Sequence, residues 1–285
     1  MLYVKTDRPL DPLTLLVMGE MVKTAQELGL QYFLCGAMAR DVLLQHVHGI
    51  ETGAATVDVD FGVAIEDWAQ FEKIKANLIK TSTFEQDKKM THRLYYRHNA
   101  SNKGYPVDII PFGGVESPVN RVAWPPDREE VLNVIAYQEA LTNSVAIQVA
   151  NDLNIQVTSL PGLALLKLFA WADRGISNHK DALDLVILLR TYYHAGNLDR
   201  LYGEEAKLLE NVGFDLDAAS PRLLGKDVQR IASPETHKQV MAIFNDEKMF
   251  HQLMTHMSAK LRGASDPIAA AERLLKQFKA GLAGH

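Results

Sequence analysis

The stretch Ala55–Ile65, ATVDVDFGVAI, decides how the first half of this chain is read. Asp58 and Asp60 alternate with Val57, Val59 and Phe61. Side chains of a strand alternate between its faces, so both aspartates point the same way. A D-x-D pair on an apolar strand has two readings. Alternating acids are ordinary on the solvated face of a half-exposed strand. Alternatively, buried carboxylates repel one another and call for a cation.

Working outward, QYFLCGA (31–37) reads as a short buried strand ending at Gly36, and MARDVLLQHV (38–47) as the helix after it. Upstream, LDPLTLLVMGEMVKTAQELGL (10–30) has helical periodicity, with Asp11-Pro12 as its start and Gly29 as its stop. Downstream, DWAQFEKIKANLIKTSTF (67–84) reads as a helix covering the sheet. RLYYRHNASNKGYPVDIIPF (93–112) reads as a hairpin turning at Asn99–Gly104, and its second arm carries a third acid, Asp108. Residues 115–142 are less regular, and AWPPD marks a loop or a domain edge. VAIQVANDLNIQV (145–157) suggests a second hairpin turning near Asn151-Asp152. Beyond Pro161 the pattern turns helical, with strong helices in LPGLALLKLFAWADR and NHKDALDLVILLRTYY. The chain is expected to be α+β. Residues 1–142 form a mixed sheet with flanking helices, and residues 143–285 form a mostly helical domain.

Composition narrows the classes. The chain of 285 residues is 47% apolar and 23% charged, which supports a sizeable core. Its net charge of −5, with no strongly basic half, gives no signal of tight electrostatic nucleic-acid binding. Cys35 is the sole cysteine, so no intramolecular disulfide can form, and a reducing, cytoplasmic setting is expected. No uncharged run reaches the roughly 18 residues of a membrane span.

Asp58, Asp60 and Asp108 are the candidate chemistry. Oxygen ligands of this kind suit hard ions such as Mg²⁺ or Mn²⁺, and a D-x-D strand beside a third aspartate makes a two-metal platform for phosphoryl displacement. The glycine turn at LCGAMARD lets backbone N–H groups approach a phosphate, with Arg40 one turn on; Arg40 and Asp41 can equally form a local ion pair. Lys167, on a strongly apolar helix, either snorkels to solvent or meets an anion. Asp181 and Asp184 share a helix face. Cys35, beside Phe33 and Leu34, reads as a packed small residue. His46 and His48 are two apart, unsuited to one helix face. Tyr95, Tyr96 and Trp171 either stack a base or fill the core.

The order of glycine turn, helix, D-x-D strand and later aspartate resembles the nucleotidyltransferase superfamily with the DNA polymerase β-type fold. CGAMARD is similar to the G-G-x-x-R-D opening of tRNA nucleotidyltransferases and poly(A) polymerases. SLPGLALLKLFAWADRG followed by HKDALDLVILL resembles the third and fourth motifs of AbiEii/AbiGii-type nucleotidyltransferases, which include toxins of type IV toxin–antitoxin and phage-defence systems. The resemblance spans roughly residues 25–195. It implies that Gly36 and Ala37 hold the triphosphate turn, aided by Arg40. Asp58, Asp60 and Asp108 would bind metal, with Asp108 acting as the base or orienting it. Lys167 would reach the nucleotide phosphates, and Arg174 and Asp181 would line the cleft that the helical half completes. The substrates would be a nucleoside triphosphate and a tRNA or small-molecule acceptor, and the partner an antitoxin, with no membrane. Toxin members usually carry Gly-Ser where this chain has Gly36-Ala37, so one hydroxyl donor is missing. A non-catalytic nucleotide-binding or protein-interaction module on the same fold is the alternative, and the complete set of acids argues against it.

Overall fold

The computed structural model describes residues 1–284 except 54–55, 82, 98–103 and 176–177. The chain forms two compact units, Met1–Ser159 and Leu160–His285.

The first unit is built on an eight-stranded mixed sheet. In chain order its elements are β1 (Leu2–Tyr3), α1 (Pro12–Leu28), β2 (Tyr32–Cys35), α2 (Gly36–Asp41), β3 (Val59–Ile65), α3 (Trp68–Lys80), β4 (Phe84–Gln86), β5 (Arg93–Tyr96), β6 (Tyr105–Gly113), β7 (Arg121–Ala123), β8 (Val131–Asn133), α4 (Tyr137–Thr142), β9 (Val145–Ala150) and β10 (Leu153–Val157). The strand order is β1-β9-β10-β2-β3-β6-β5-β4, with β7 and β8 paired apart.

Local chemistry accounts for the boundaries. Asp11 accepts hydrogen bonds from the backbone N–H groups of Leu13 and Thr14 at the start of α1, Pro12 needs no donor there, and Gly29 ends the helix at φ 65°. Asp67 caps α3 by accepting from the Gln70 N–H. Phe33, Leu34, Phe61, Ile109 and Phe112 on the central strands are wholly buried, as are Phe71, Ile74 and Leu78 of α3. Continuous burial along β2 is the signature of a strand covered on both faces.

Three expectations need correction. The strand expected within Ala55–Ile65 begins at Val59; Val57 is exposed, so the apolar run does not enter the core until β3 starts. The single helix expected after Gly36 is a short α2 continued by a π-helical segment, Val42–Val47, which four buried side chains hold against the core. The division expected after residue 142 falls instead after Ser159, because the hairpin β9–β10 enters the sheet: β10 pairs parallel to β2 through Val157 and Leu34, and β9 pairs parallel to β1. The turn expected at Asn99–Gly104 lies, but for Gly104, outside the described residues.

The second unit is helical: α5 (Leu160–Arg174), α6 (Lys180–Thr191), α7 (Leu198–Tyr202), α8 (Ala206–Asn211), α9 (Leu216–Ile231), α10 (Pro234–Asn245), α11 (Glu247–Ser258) and α12 (Pro267–Leu282). Glycines bring α9 and α12 together. A Cβ at Gly225 would lie 2.2 Å from the Phe278 carbonyl oxygen, and one at Gly281 would lie 2.0 Å from that of Arg222. Backbone-to-backbone approach of this kind excludes any larger side chain.

Candidate active site

The sheet register brings two of the three sequence-expected acids into one row. Cys35 of β2 pairs with Asp60 of β3, Asp60 pairs with Asp108 of β6, and Asp108 pairs with Arg93 of β5. Partners in register share a face, so Asp60 and Asp108 stand side by side. Asp58, half-buried, immediately precedes β3. Val59 and Phe61 point into the core, as the alternation requires.

Gly36 completes the row. Its φ of 68° belongs to the left-handed region, and a Cβ there would sit 1.9 Å from Asp60 Oδ2. The turn that opens α2 therefore lies directly against the second carboxylate of D-x-D. The Cys35 thiol donates to the Asp60 carbonyl at 3.4 Å and is buried, as expected for a packed residue. Ala37 is half-buried on the first turn of α2. Arg40 is turned inward: it is 3% exposed, and its Nε donates to Asp41 Oδ1 at 2.8 Å. The ion-pair reading of Arg40 is the observed one, and its charge is directed at Asp41. Elsewhere on β6 the Tyr105 hydroxyl lies 2.8 Å from Thr14 Oγ1. Burial, followed by the neighbouring charges of Asp11 and Asp58, pushes Tyr105 above the usual phenol range despite that hydrogen bond.

Arg93 is the residue that sequence reasoning missed. Its Nε donates to Asp108 Oδ1 at 2.6 Å and its Nη2 to Asp108 Oδ2 at 2.7 Å. This is a fork-to-fork pair, the strongest geometry open to two ionised side chains. The bonds to Asp108 hold the guanidinium above the usual arginine range against the effect of burial, with further help from the charges of Asp108 and Asp58. Among the described residues, no group of three or more His, Cys, Asp or Glu converges as a metal-binding set. Both oxygens of Asp108 are engaged by Arg93. The donor chemistry still fits a hard ion at Asp58 and Asp60, since Mg²⁺ is commonly bound through one or two carboxylates, with waters and substrate phosphates supplying the rest.

A second cluster lies within the helical unit. Lys167 and Arg174 are seven residues apart on α5, and Asp181 and Asp184 share a face of α6. Lys167 Nζ contacts Asp181 Oδ1 at 3.0 Å and Asp184 Oδ2 at 2.5 Å, and Arg174 Nε contacts Asp181 Oδ2 at 3.0 Å. The anion that Lys167 meets is thus a pair of carboxylates. Burial works against its charge, but Asp184 and Asp181 outweigh it and keep Lys167 above the usual lysine range. Burial likewise opposes ionisation of Asp181, yet Lys167 and Arg174 hold it below the usual carboxylate range. Trp171 is 2% exposed and donates its indole N–H to His256 Nδ1 at 3.0 Å, so it is a core residue. Tyr96 is likewise buried, while Tyr95 is half-buried.

The family model described as "Nucleotidyl transferase AbiEii toxin, Type IV TA system" matches residues 24–267. The chain belongs to this AbiEii family. It is a nucleotidyltransferase, and AbiEii membership supports transfer of a nucleoside monophosphate in general. Among solved structures, this AbiEii chain is similar to an antigenic nucleotidyltransferase-like protein from Paracoccidioides brasiliensis (16% identity, 76% of this chain and 94% of that one, TM-score 0.44). It is similar also to the antibiotic-resistance factor ANT(2'')-Ia (13%, 72% and 100%, 0.39) and to the Thermotoga maritima CCA-adding enzyme complexed with tRNA (12%, 96% and 83%, 0.26). No curated protein matches the chain. Among the described residues, no helix of this AbiEii member is long and apolar enough to cross a membrane.

Proposed function

We propose that this AbiEii-family chain is a Mg²⁺-dependent toxin that transfers a nucleoside monophosphate from a nucleoside triphosphate to a hydroxyl of tRNA. The observation that carries the reading is the row in which Asp60 lies beside Asp108 on one side and against the Gly36 turn on the other.

Asp58 and Asp60 would hold the ion, Mg²⁺ or Mn²⁺. Bound there, it would supply charge neutralisation for the triphosphate and for the oxygens that gain charge in the reaction. The chain's own groups do the remaining work. Backbone N–H groups of the Gly36-Ala37 turn receive phosphate oxygens, which Gly36 allows because it has no side chain. Asp108, fixed by Arg93, takes the proton of the acceptor hydroxyl. The hydroxyl oxygen then forms a bond to the α-phosphorus as the bond to pyrophosphate breaks. In the helical unit, Arg174 is half exposed and so has surface to offer an anion, whereas the charge of Lys167 is already shared between Asp181 and Asp184. We assign Lys167 and Asp181 to fixing α5 against α6, and Arg174 to phosphate contact.

The toxin assignment draws on the family, which also makes an antitoxin the expected partner. A second reading, transfer to a small molecule, is favoured by the net charge of −5, which gives no general attraction to a polyanion. Incubation with each labelled nucleoside triphosphate, Mg²⁺ and total tRNA separates the two. Label on tRNA, lost in Asp58→Asn/Asp60→Asn, is the expected result. Label confined to a small molecule would exclude the tRNA reading.

A further inference from the structure

The three carboxylates of the site are not equivalent. Asp60 faces the Gly36 turn, whereas Asp108 is engaged through both oxygens by Arg93 at 2.6 and 2.7 Å. The clamp is built into the sheet, because Arg93 is the cross-strand partner of Asp108 in the antiparallel β5–β6 pair. Backbone pairing thus fixes both Cα positions, and the guanidinium is not a long side chain reaching in from a loop. Both side chains are largely covered, Arg93 at 21% and Asp108 at 12% exposure. A planar fork in this setting is pre-organised, and separating it strands two desolvated charges. The electrostatics agree. Asp58, Asp60 and Asp108 carry three formal negative charges and Arg93 one positive, leaving the two that one divalent ion balances.

We propose that Arg93, and not a metal ion, is the resident cation of Asp108. Arg93 is then a positioning residue. It holds the third carboxylate through both oxygens and confines metal binding to Asp58 and Asp60. This rests on the reading that Asp58 and Asp60 are the metal ligands. Two consequences set it apart from a merely structural ion pair. Removing Arg93 alone releases Asp108 toward the metal and leaves the site more negative, so divalent-ion affinity rises. Removing Arg93 and Asp108 together restores the charge balance and deletes no ligand, so affinity stays where it was.

The test is Mn²⁺ binding to the nucleotide-free full chain, followed by calorimetry and by loss of the free-ion paramagnetic resonance signal. Arg93→Gln is expected to tighten Mn²⁺ binding by about threefold or more, the direction a nearby unit charge sets. Arg93→Gln/Asp108→Asn is expected to match the wild type within about twofold. The double variant places two neutral amides where the fork was, so it is the least disruptive to folding. Its binding about tenfold weaker than wild type would make Asp108 a ligand and overturn the inference, the loss being of the size seen when groups supporting a metal are removed. So would unchanged or weaker binding by Arg93→Gln. Asp58→Asn/Asp60→Asn tests the underlying metal reading separately. If that variant binds Mn²⁺ like the wild type, the metal assignment itself falls. If it loses binding while the Arg93/Asp108 double variant also weakens, the inference alone falls.

Discussion

Gly36 and Asp60 constrain each other. The carboxylate occupies the space where any other residue at 36 would place its Cβ, and the backbone there is left-handed. Gly36→Ala is expected to destabilise the fold by about 1–3 kcal/mol through strain and to abolish pyrophosphate release by displacing Asp60; urea denaturation and a coupled phosphate assay read the two effects. In Lys167→Met, Asp184 and Asp181 both lose the Lys167 contact, while Asp181 keeps that to Arg174. Truncating one partner of a buried charge cluster costs about 3–5 kcal/mol, so a loss below 1 kcal/mol in the urea midpoint analysis would contradict the cluster described. Gly36 and the D-x-D pair were legible because a period of two and a turn glycine are local signals. Arg93 was not. A turn spanning Asn99–Gly104 would have set Tyr95 opposite Asp108, while the observed pairing of Tyr96 with Tyr105 shifts the register and sets Arg93 there. Register depends on the turn's geometry, which composition alone does not fix.

At the scale of elements, α5 and α6 act as a charged pair, and their stability follows pH at both ends. Asp181 is held below its usual range in the fold. Its contribution is present above the unfolded carboxylate value near pH ~4 and is lost as pH falls through the lower folded value. Lys167 is held above its usual range. Its contribution is present below the unfolded lysine value near pH ~10 and is lost as pH rises through the folded value. The contribution of this charged pair to stability is therefore expected to be flat between these limits and to fall outside them, and Asp181→Asn should blunt the acid limb in thermal scans. Helix ends such as Asp11, Pro12 and Gly29 were readable because caps are chemical. The π-helical run Val42–Val47 was not, since its apolar residues also satisfy the ordinary helical period. Nor was the start of β3 at Val59, because Val57 is apolar but exposed and only tertiary packing distinguishes the two.

For the whole molecule, induced expression in a bacterial host is expected to arrest growth, and Asp58→Asn/Asp60→Asn to relieve the arrest at equal protein level. Growth arrest by both forms would sever toxicity from this site. The second hairpin was legible as a hairpin, but its membership of the sheet was not, because strand order across parallel neighbours leaves no local mark. The close approach of α9 and α12 through Gly225 and Gly281 was hidden for a related reason: each glycine makes sense only beside the other helix. The sheet's wiring also bears on synthesis. Leu2 waits for Ile147, and Leu34, already paired with Phe61 on one side, waits for Val157 on the other. A ribosome must extrude nearly all of the first unit before its scaffold can close, so a nascent chain cut short before those late strands leaves the sheet incomplete.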